Sequence, residues 1–343
     1  MMNLLQKFKD MFSSESFSFG LDIGIFAIKV VKLRLLKDAV ELCDFVLEPS
    51  QADLALALKK ITDSYGIKTA SISVSGSATV VRYVVFPQMN VEELKQSLRF
   101  EAQQYIPFPV NEAHLDSYIL KEGLPDNKML VLVAAVKKEL INQRLKLIQD
   151  AGIKVNSVDF DSLALVKAFN FNYSKEEYGS AENKTIALLN IGASMSNLNI
   201  LENGIPVLSR DIYIAGNNLT QKIQEAIGID FKSIEELKPN IDKEKLDKVV
   251  AAAESVLSDL SKELRTSFDY YESQSASSVI KIFLSGGGSK FTGLKDMLAN
   301  LLSIEVEYWD PLRKISIVDN INSEKIKAIS SQLAVAVGLA LPK

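Results

Sequence analysis

Two short phrases of this sequence each end an apolar strand in a glycine turn. They are Phe19-Gly20-Leu21-Asp22-Ile23-Gly24 and, about half a chain later, Leu189-Asn190-Ile191-Gly192-Ala193-Ser194. A third phrase, Leu284-Ser285-Gly286-Gly287-Gly288-Ser289, ends a buried-looking strand and leads to a helix near Gly293. Backbone can approach a polyphosphate closely only where side chains are absent, and the N–H groups of a tight turn then donate to its oxygens. A helix N-terminus beyond the third turn favours the same anion. Asp22 before one turn and hydroxyls after another point to a ligand that carries phosphates and a cation. One such turn is also what an ordinary hairpin uses; three in strand–turn context are more specific.

These turns must be positioned by strands, and the flanking pattern supplies them. Residues 17–47 read as three strands with tight turns, and the segments 184–190, 196–201 and 205–212 read as a second trio of the same kind. The repetition predicts two α/β halves with a ligand between them. A helix is expected at 51–65 and strands at Thr69–Ser75 and Val80–Phe86. Val91–Tyr105 has helical periodicity through Leu94, Leu98 and Ala102, and strands at Asp116–Leu120 and Met129–Val136 flank a polar turn. A helix over Lys137–Ala151 ends at Gly152, so residues 82–153 read as a small α+β unit inserted into the first half. The strand Ile153–Asp159, the helix Ser162–Phe169 and a polar stretch then lead into the second half. There, Gly216 opens a helix to about Ile227, Lys243–Ser273 is helical, and an apolar helix Ile326–Leu341 closes the chain. The expected divisions are an extension over 1–16, a first core domain beginning over 17–81, the insert over 82–153 and a connector and linker over 154–183. The second core domain covers 184–325, and a helix over 326–343 returns to the first.

Composition narrows the function. The 343 residues are 47% hydrophobic, enough for two or more cores, and the net charge of −4 without a long basic run argues against nucleic acid. One cysteine, Cys43, excludes an internal disulfide framework, and one histidine, His114, excludes a histidine-rich metal site. No segment reaches the roughly 20 apolar residues of a membrane span. In the first twelve residues, Leu4, Leu5, Phe8, Met11 and Phe12 share one helical face. Such a segment suits a membrane surface or a partner, and a frayed extension explains it equally well.

With these residues in view, the chain resembles the actin-like ATPase superfamily. Within it, the chain looks most like the PilM family of type IV pilus assembly proteins, related to FtsA. Gly20–Gly24 is similar to the first phosphate motif, Ile191–Ser194 to the second and Leu284–Ser289 to the adenosine motif. Val158–Leu165 and Ala334–Leu341 resemble the two interdomain connectors, and Glu93 through Pro109 is the most PilM-like piece. The resemblance implies a duplicated, ribonuclease H-like α/β fold with two core domains around a nucleotide cleft, an inserted α+β subdomain, and a helical nucleotide-binding subdomain in the second half.

It also implies roles. Asp22 would hold Mg2+ through water, while Gly24, Ile25 and Phe26 face the phosphates of ATP with their amides and Gly192, Ala193 and Ser194 clamp from the other side. Glu235 and Lys238 would contact adenosine, although a solvated ion pair has the same spacing. Gly216 with Gly286, Gly287, Gly288 and Ser289 would complete the nucleoside pocket. Asp159 stands where related enzymes position the attacking water; capping of a helix N-terminus explains both Asp159 and Asp161 as well. The chain departs from the pattern in two ways: Ile25 and Phe26 replace small or hydroxyl residues, and Asn190 replaces an aspartate. Asn190 can still hydrogen-bond a phosphate or a hydrated Mg2+, but it brings no charge to organise metal and water, so ATP binding with weak or absent hydrolysis is expected.

The resemblance implies a cytoplasmic scaffold that meets the inner membrane through a PilN-like partner. The partner's N-terminal peptide would lie between the insert and the first core domain. The pilus motor or platform and self-association are further implied contacts. An active actin-like ATPase or kinase, and a filament-forming FtsA-like division protein, are the alternatives.

Overall fold

The computed structural model describes residues 16–50, 53–174, 176–177, 185–228 and 243–342, the side chains of 243–247 excepted. The amphipathic segment of the first fifteen residues, Glu235 and Lys238 lie outside the described residues. The first half opens with β1 (Ser16–Ile23), β2 (Ala27–Leu35), β3 (Val40–Pro49), α1 (Leu54–Tyr65) and β4 (Thr69–Val74). The insert follows as β5 (Thr79–Pro87), α2 (Val91–Glu101), β6 (Ala113–Leu124) and β7 (Lys128–Lys137). The chain then returns through α3 (Lys138–Asp150), β8 (Lys154–Phe160) and α4 (Asp161–Asn172). The second half contains β9 (Thr185–Ile191), β10 (Ser196–Glu202), β11 (Ile205–Ile212), α5 (Gly216–Ile227), α6 (Lys243–Glu272), β12 (Lys281–Ser285), α7 (Leu294–Leu302) and β13 (Glu305–Tyr308). Short β14 (Ser316–Ile317), α8 (Ser323–Ile329) and α9 (Ala334–Ala340) end it.

The same strand order occurs twice. One sheet runs β14-β3-β2-β1-β4-β8 and the other β11-β10-β9-β12-β13. In each, three antiparallel strands are continued by two parallel ones. Parallel pairing needs crossover helices, and α1 and α7 supply them on the outer sides. α1 contributes Leu58 and Ile61 to the core of the first half, and α7 contributes Leu294 and Leu298 to that of the second.

Between the sheets lie α4 and α9. α9 reads Ala-Val-Ala-Val-Gly-Leu-Ala and every residue of it is buried; α4 buries Ala164, Leu165, Val166, Ala168 and Phe169. A helix apolar on all sides has nowhere to lie but inside. Their shared core takes Val31, Leu33 and Leu42 from the first sheet and Ile186, Leu188 and Phe283 from the second. Contact here is backbone against backbone: a Cβ on Gly338 would strike the Ala164 carbonyl, and one on Gly20 the Ala336 carbonyl. Asn172 fastens the end of α4, donating to the Pro311 carbonyl at 2.7 Å and accepting from the Lys314 amide at 2.8 Å.

The insert is a three-stranded sheet, β5-β7-β6, with α2 on one face through Leu94 and Leu98. Asn90 and Glu93 start α2 as a reciprocal capping box. The insert is smaller than its expected 82–153. Its sheet begins at Thr79 and ends at Lys137, while Ile148 of α3 and Ile153 are buried in the core of the first half. The C-terminal helix expected over Ile326–Leu341 is also divided, because Ser330–Leu333 tighten into a 3-10 turn between α8 and α9. Likewise α2 stops at Glu101 and a 3-10 turn over Ala102–Gln104 replaces its expected last turn.

The central contact makes a direct prediction. Gly338→Ala should lower stability to chemical denaturant by about 3 kcal/mol or more, since two backbones must separate. Gly123→Ala, where φ is +68° but nothing lies within 4 Å, should lose only about 1 kcal/mol.

Candidate functional site

Each glycine turn is held in shape by its own backbone bonds. In the β1–β2 turn the Gly24 amide donates to the Ala27 carbonyl at 3.1 Å, and the Ser50 hydroxyl donates to the Gly24 carbonyl at 2.7 Å. In the β9–β10 turn the Gly192 amide donates to the Met195 carbonyl at 3.0 Å. Carbonyls of Gly192 and Ala193 then accept from the Gly216 and Asn217 amides at 3.0 and 2.7 Å. The second turn thus caps the start of α5.

The third turn folds onto the second. Cβ atoms on Gly286 or Gly288 would strike the end of β9 at Ile191, and one on Gly216 would meet the Gly192 carbonyl at 3.0 Å and the Gly288 Cα at 3.4 Å. Gly192, Ala193, Gly216 and Gly288 therefore form one cluster. Gly286 and Gly288 are buried, and Ser289 is 0% exposed with its hydroxyl donating to the Gly286 carbonyl at 2.7 Å. Those three residues build the turn, and Gly287 alone of the four reaches the surface. Ile25 and Phe26 at the first turn are 71% and 49% exposed, so only their amides remain for a phosphate.

Charge organises the cleft. Asp22, 8% exposed, accepts from the Lys29 ammonium at 2.8 Å across the β1–β2 pair. The hairpin register brings Lys29, a lysine of the strand after the first turn, beside Asp22 and Gly24. The Asp159 carboxylate accepts from the adjoining Phe160 amide at 2.8 Å, and Asp161, at the start of α4, lies near Asp22, Asp211 and the Ser73 and Ser75 hydroxyls. Burial, and then the charge on Asp22, push the Asp161 carboxyl up from 3.8 to about 6, against the pull of the two serines. A carboxyl near neutrality is suited to accepting a proton, so Asp161 is the residue here that fits a general base. It also lines a cavity of about 210 Å³ with Ser75, Gly76, Thr79, Asp211 and Tyr213, where the first half, the insert and β11 meet.

Asn190 lies on the path between the halves. The Ser285 hydroxyl donates to its Oδ1 at 3.1 Å, and its Nδ2 donates to Asn197 Oδ1 at 3.2 Å. Asn197 Nδ2 donates to Asp211 at 2.8 Å, whose other oxygen accepts from the Gly76 amide at 3.0 Å. Sequence reasoning misses Asp211 and Asn197. Their partners come from other strands and, for Gly76, from the other half, so no local motif marks them.

The donor set fits magnesium in one form only. Among the described residues no three His, Cys, Asp or Glu side chains are arranged to hold a metal. A hydrated Mg2+ carried by phosphates and touched through water by Asp22 is compatible, because this ion keeps several waters and needs few carboxylates.

Two sheets of one strand order, packed on a shared pair of buried helices with glycine turns at the seam, define an actin-like ATPase fold. The family model for "Type IV pilus assembly protein PilM" matches residues 20–343, and the chain belongs to that family. A solved PilM–PilN type IV pilus biogenesis complex is 26% identical, with 94% of this chain and 97% of that chain covered and a TM-score of 0.83. The ethanolamine utilization protein EutJ from Carboxydothermus hydrogenoformans shares the fold at 13% identity, with 99% and 98% covered and a TM-score of 0.55.

Asp161 supplies a pH test. The native state holds its proton up to about pH 6 and the unfolded state releases it near 3.8, so the protonated form's stabilisation is complete below 3.8 and lost as pH rises through 6. Asp161→Asn should therefore be more stable than the parent by about 1–3 kcal/mol at pH 8, with the difference shrinking toward zero at pH 4. Urea denaturation across that range checks it; a gain independent of pH would contradict it.

Proposed function

We propose that this chain is an ATP-binding scaffold of type IV pilus assembly, in which nucleotide holds two core domains in one arrangement for a partner. The observation that carries the reading is the match, over nearly the whole of both chains, to a PilM–PilN complex. The site supports it. ATP phosphates would accept from amides of Gly24–Phe26 and of Gly192–Ser194, with Lys29 offsetting their charge beside Asp22. The nucleoside would lie toward Gly216 and Gly287. Magnesium would supply charge neutralisation of the phosphates, held through water by Asp22.

Hydrolysis would be slow. Asp161 can take a proton from water, but Asn190 adds no charge to orient metal and water, and both ends of its amide are already engaged. Steady turnover should fall below about 0.01 s⁻¹, against about 10 s⁻¹ for a typical enzyme.

The partner would be the N-terminal cytoplasmic tail of a PilN-like inner-membrane protein, placing this chain at the cytoplasmic face of that membrane. No helix among the described residues is long and apolar enough to cross a membrane, so attachment through such a tail suffices. Beside the expected place between the insert and the first core domain, a second groove that can take an extended tail lies between α3 and β8, lined by Leu145, Gln149, Gly152, Asn156 and Val158. β8 is an edge strand, whose outer backbone groups can pair with an added strand.

A synthetic peptide of about fifteen residues from the tail tests this. Gln149→Trp, an exposed change that fills the groove, should weaken peptide binding at least tenfold without altering ATP affinity. Equal binding by parent and variant would rule the groove out.

A further inference from the structure

The chain Ser285–Asn190–Asn197–Asp211–Gly76 has a direction that cannot be reversed. The Gly76 amide can only donate and the Asp211 carboxylate can only accept. Asn197 must therefore give Nδ2 to Asp211 and turn Oδ1 toward Asn190, which must answer with Nδ2 and keep Oδ1 for the Ser285 hydroxyl. Asn197 is itself 3% exposed, so no water can substitute for either partner without a rearrangement. Aspartate at 190 would set an acceptor against the Asn197 Oδ1 and leave that carbonyl unmatched. The asparagine that departs from the superfamily pattern is thus the residue the chain requires.

The two ends of this chain lie in different places. Asn190 closes β9 at the second phosphate turn, and Gly76 lies between β4 and β5, at the root of the insert. A parallel contact runs beside it. The Tyr83 hydroxyl of β5 lies 2.9 Å from that of Ser209 on β11, and Ser209 donates to Asn199 Oδ1 at 2.5 Å. The Asn199 Nδ2 has no partner although the residue is 0% exposed. The contact of insert and β11 is therefore polar and incompletely satisfied. Such a contact is held weakly and can exchange partners.

We infer that Asn190, Asn197 and Asp211 are positioning residues that couple occupancy of the nucleotide cleft to the root of the insert. A phosphate oxygen that accepts from Asn190 Nδ2 draws that group away from Asn197 Oδ1. Asn197 then loses the partner that orients it, and Asp211 no longer holds the Gly76 amide in place. This inference rests on the cleft being a nucleotide site, and the insert beyond Gly76 is the element whose seating changes.

Amide hydrogen exchange over residues 74–80 of the full chain reads the latch, with binding of a non-hydrolysable ATP analogue and magnesium measured separately by equilibrium dialysis. Saturating analogue should speed exchange of this segment by roughly fivefold, the scale of one released hydrogen bond. Asn190→Asp, and independently Asp211→Asn, should show that faster exchange without ligand and respond to the analogue by less than about twofold. α1, packed on the outer side of the first sheet, should be unchanged in all three proteins. Analogue that binds the parent without altering 74–80 would overturn the coupling, as would variants that exchange like the parent when free. Failure of the analogue to bind would overturn the nucleotide reading and the coupling with it, while the ligand-free variants still report whether the chain holds Gly76.

Discussion

Three backbones meet with no side chain between them at Gly20, Ala164, Ala336 and Gly338, and the rest of the molecule depends on that contact. β1 carries Asp22 and the first glycine turn, and α4 carries Asp161. α9 returns the far end of the chain to lie between them. Were the glycines larger, the helices could not reach the sheet and the two halves would lose their common core. Burial of Leu165, Phe169, Val335, Val337 and Leu339 then makes the arrangement stable, at about 1.5–3 kcal/mol for each large side chain.

The seam holds differently at its two levels. At the centre it is apolar and closely packed. Toward the insert, the Asp211–Gly76 and Tyr83–Ser209 bonds replace apolar packing, each worth about 0.5–1.5 kcal/mol net, and the partnerless Asn199 Nδ2 offsets part of that. Apolar burial at the centre fixes the pairing of the halves, and the weaker polar contact leaves the insert free to reseat. A protein that works by holding a conformation for a partner needs both.

Much of this is legible in the residues because it is local. The glycine turns, the strand trios around them and the uniformly apolar Ala334–Ala340 are written in consecutive positions, and secondary structure follows from period and punctuation. Asp161 is harder to read. Asp159 and Asp161 flank the same strand end, and only the turn into α4 brings Asp161 near Asp22 and Asp211. Ser289 follows three glycines, and in the folded chain its hydroxyl braces the 3-10 turn by donating to the Gly286 carbonyl. Asn197 and Asp211 carry no signal, since their role exists only when β9, β10, β11 and the Gly76 turn are assembled. The insert reads too long for a related reason: α3 follows its last strand without a break, and only its burial against α1 assigns it to the first half.

If the protein works as a nucleotide-held scaffold, the two glycine turns must form one clasp for a polyphosphate across the seam of the halves. A structure of the full chain determined with magnesium and a non-hydrolysable ATP analogue would show whether they do. Phosphate oxygens should lie about 3 Å from amides of both the Gly24–Phe26 and Gly192–Ser194 turns, with the Lys29 ammonium in contact and Asp22 reached through metal-bound water. Nucleotide bound to one turn alone, or outside the seam, would contradict the clasp.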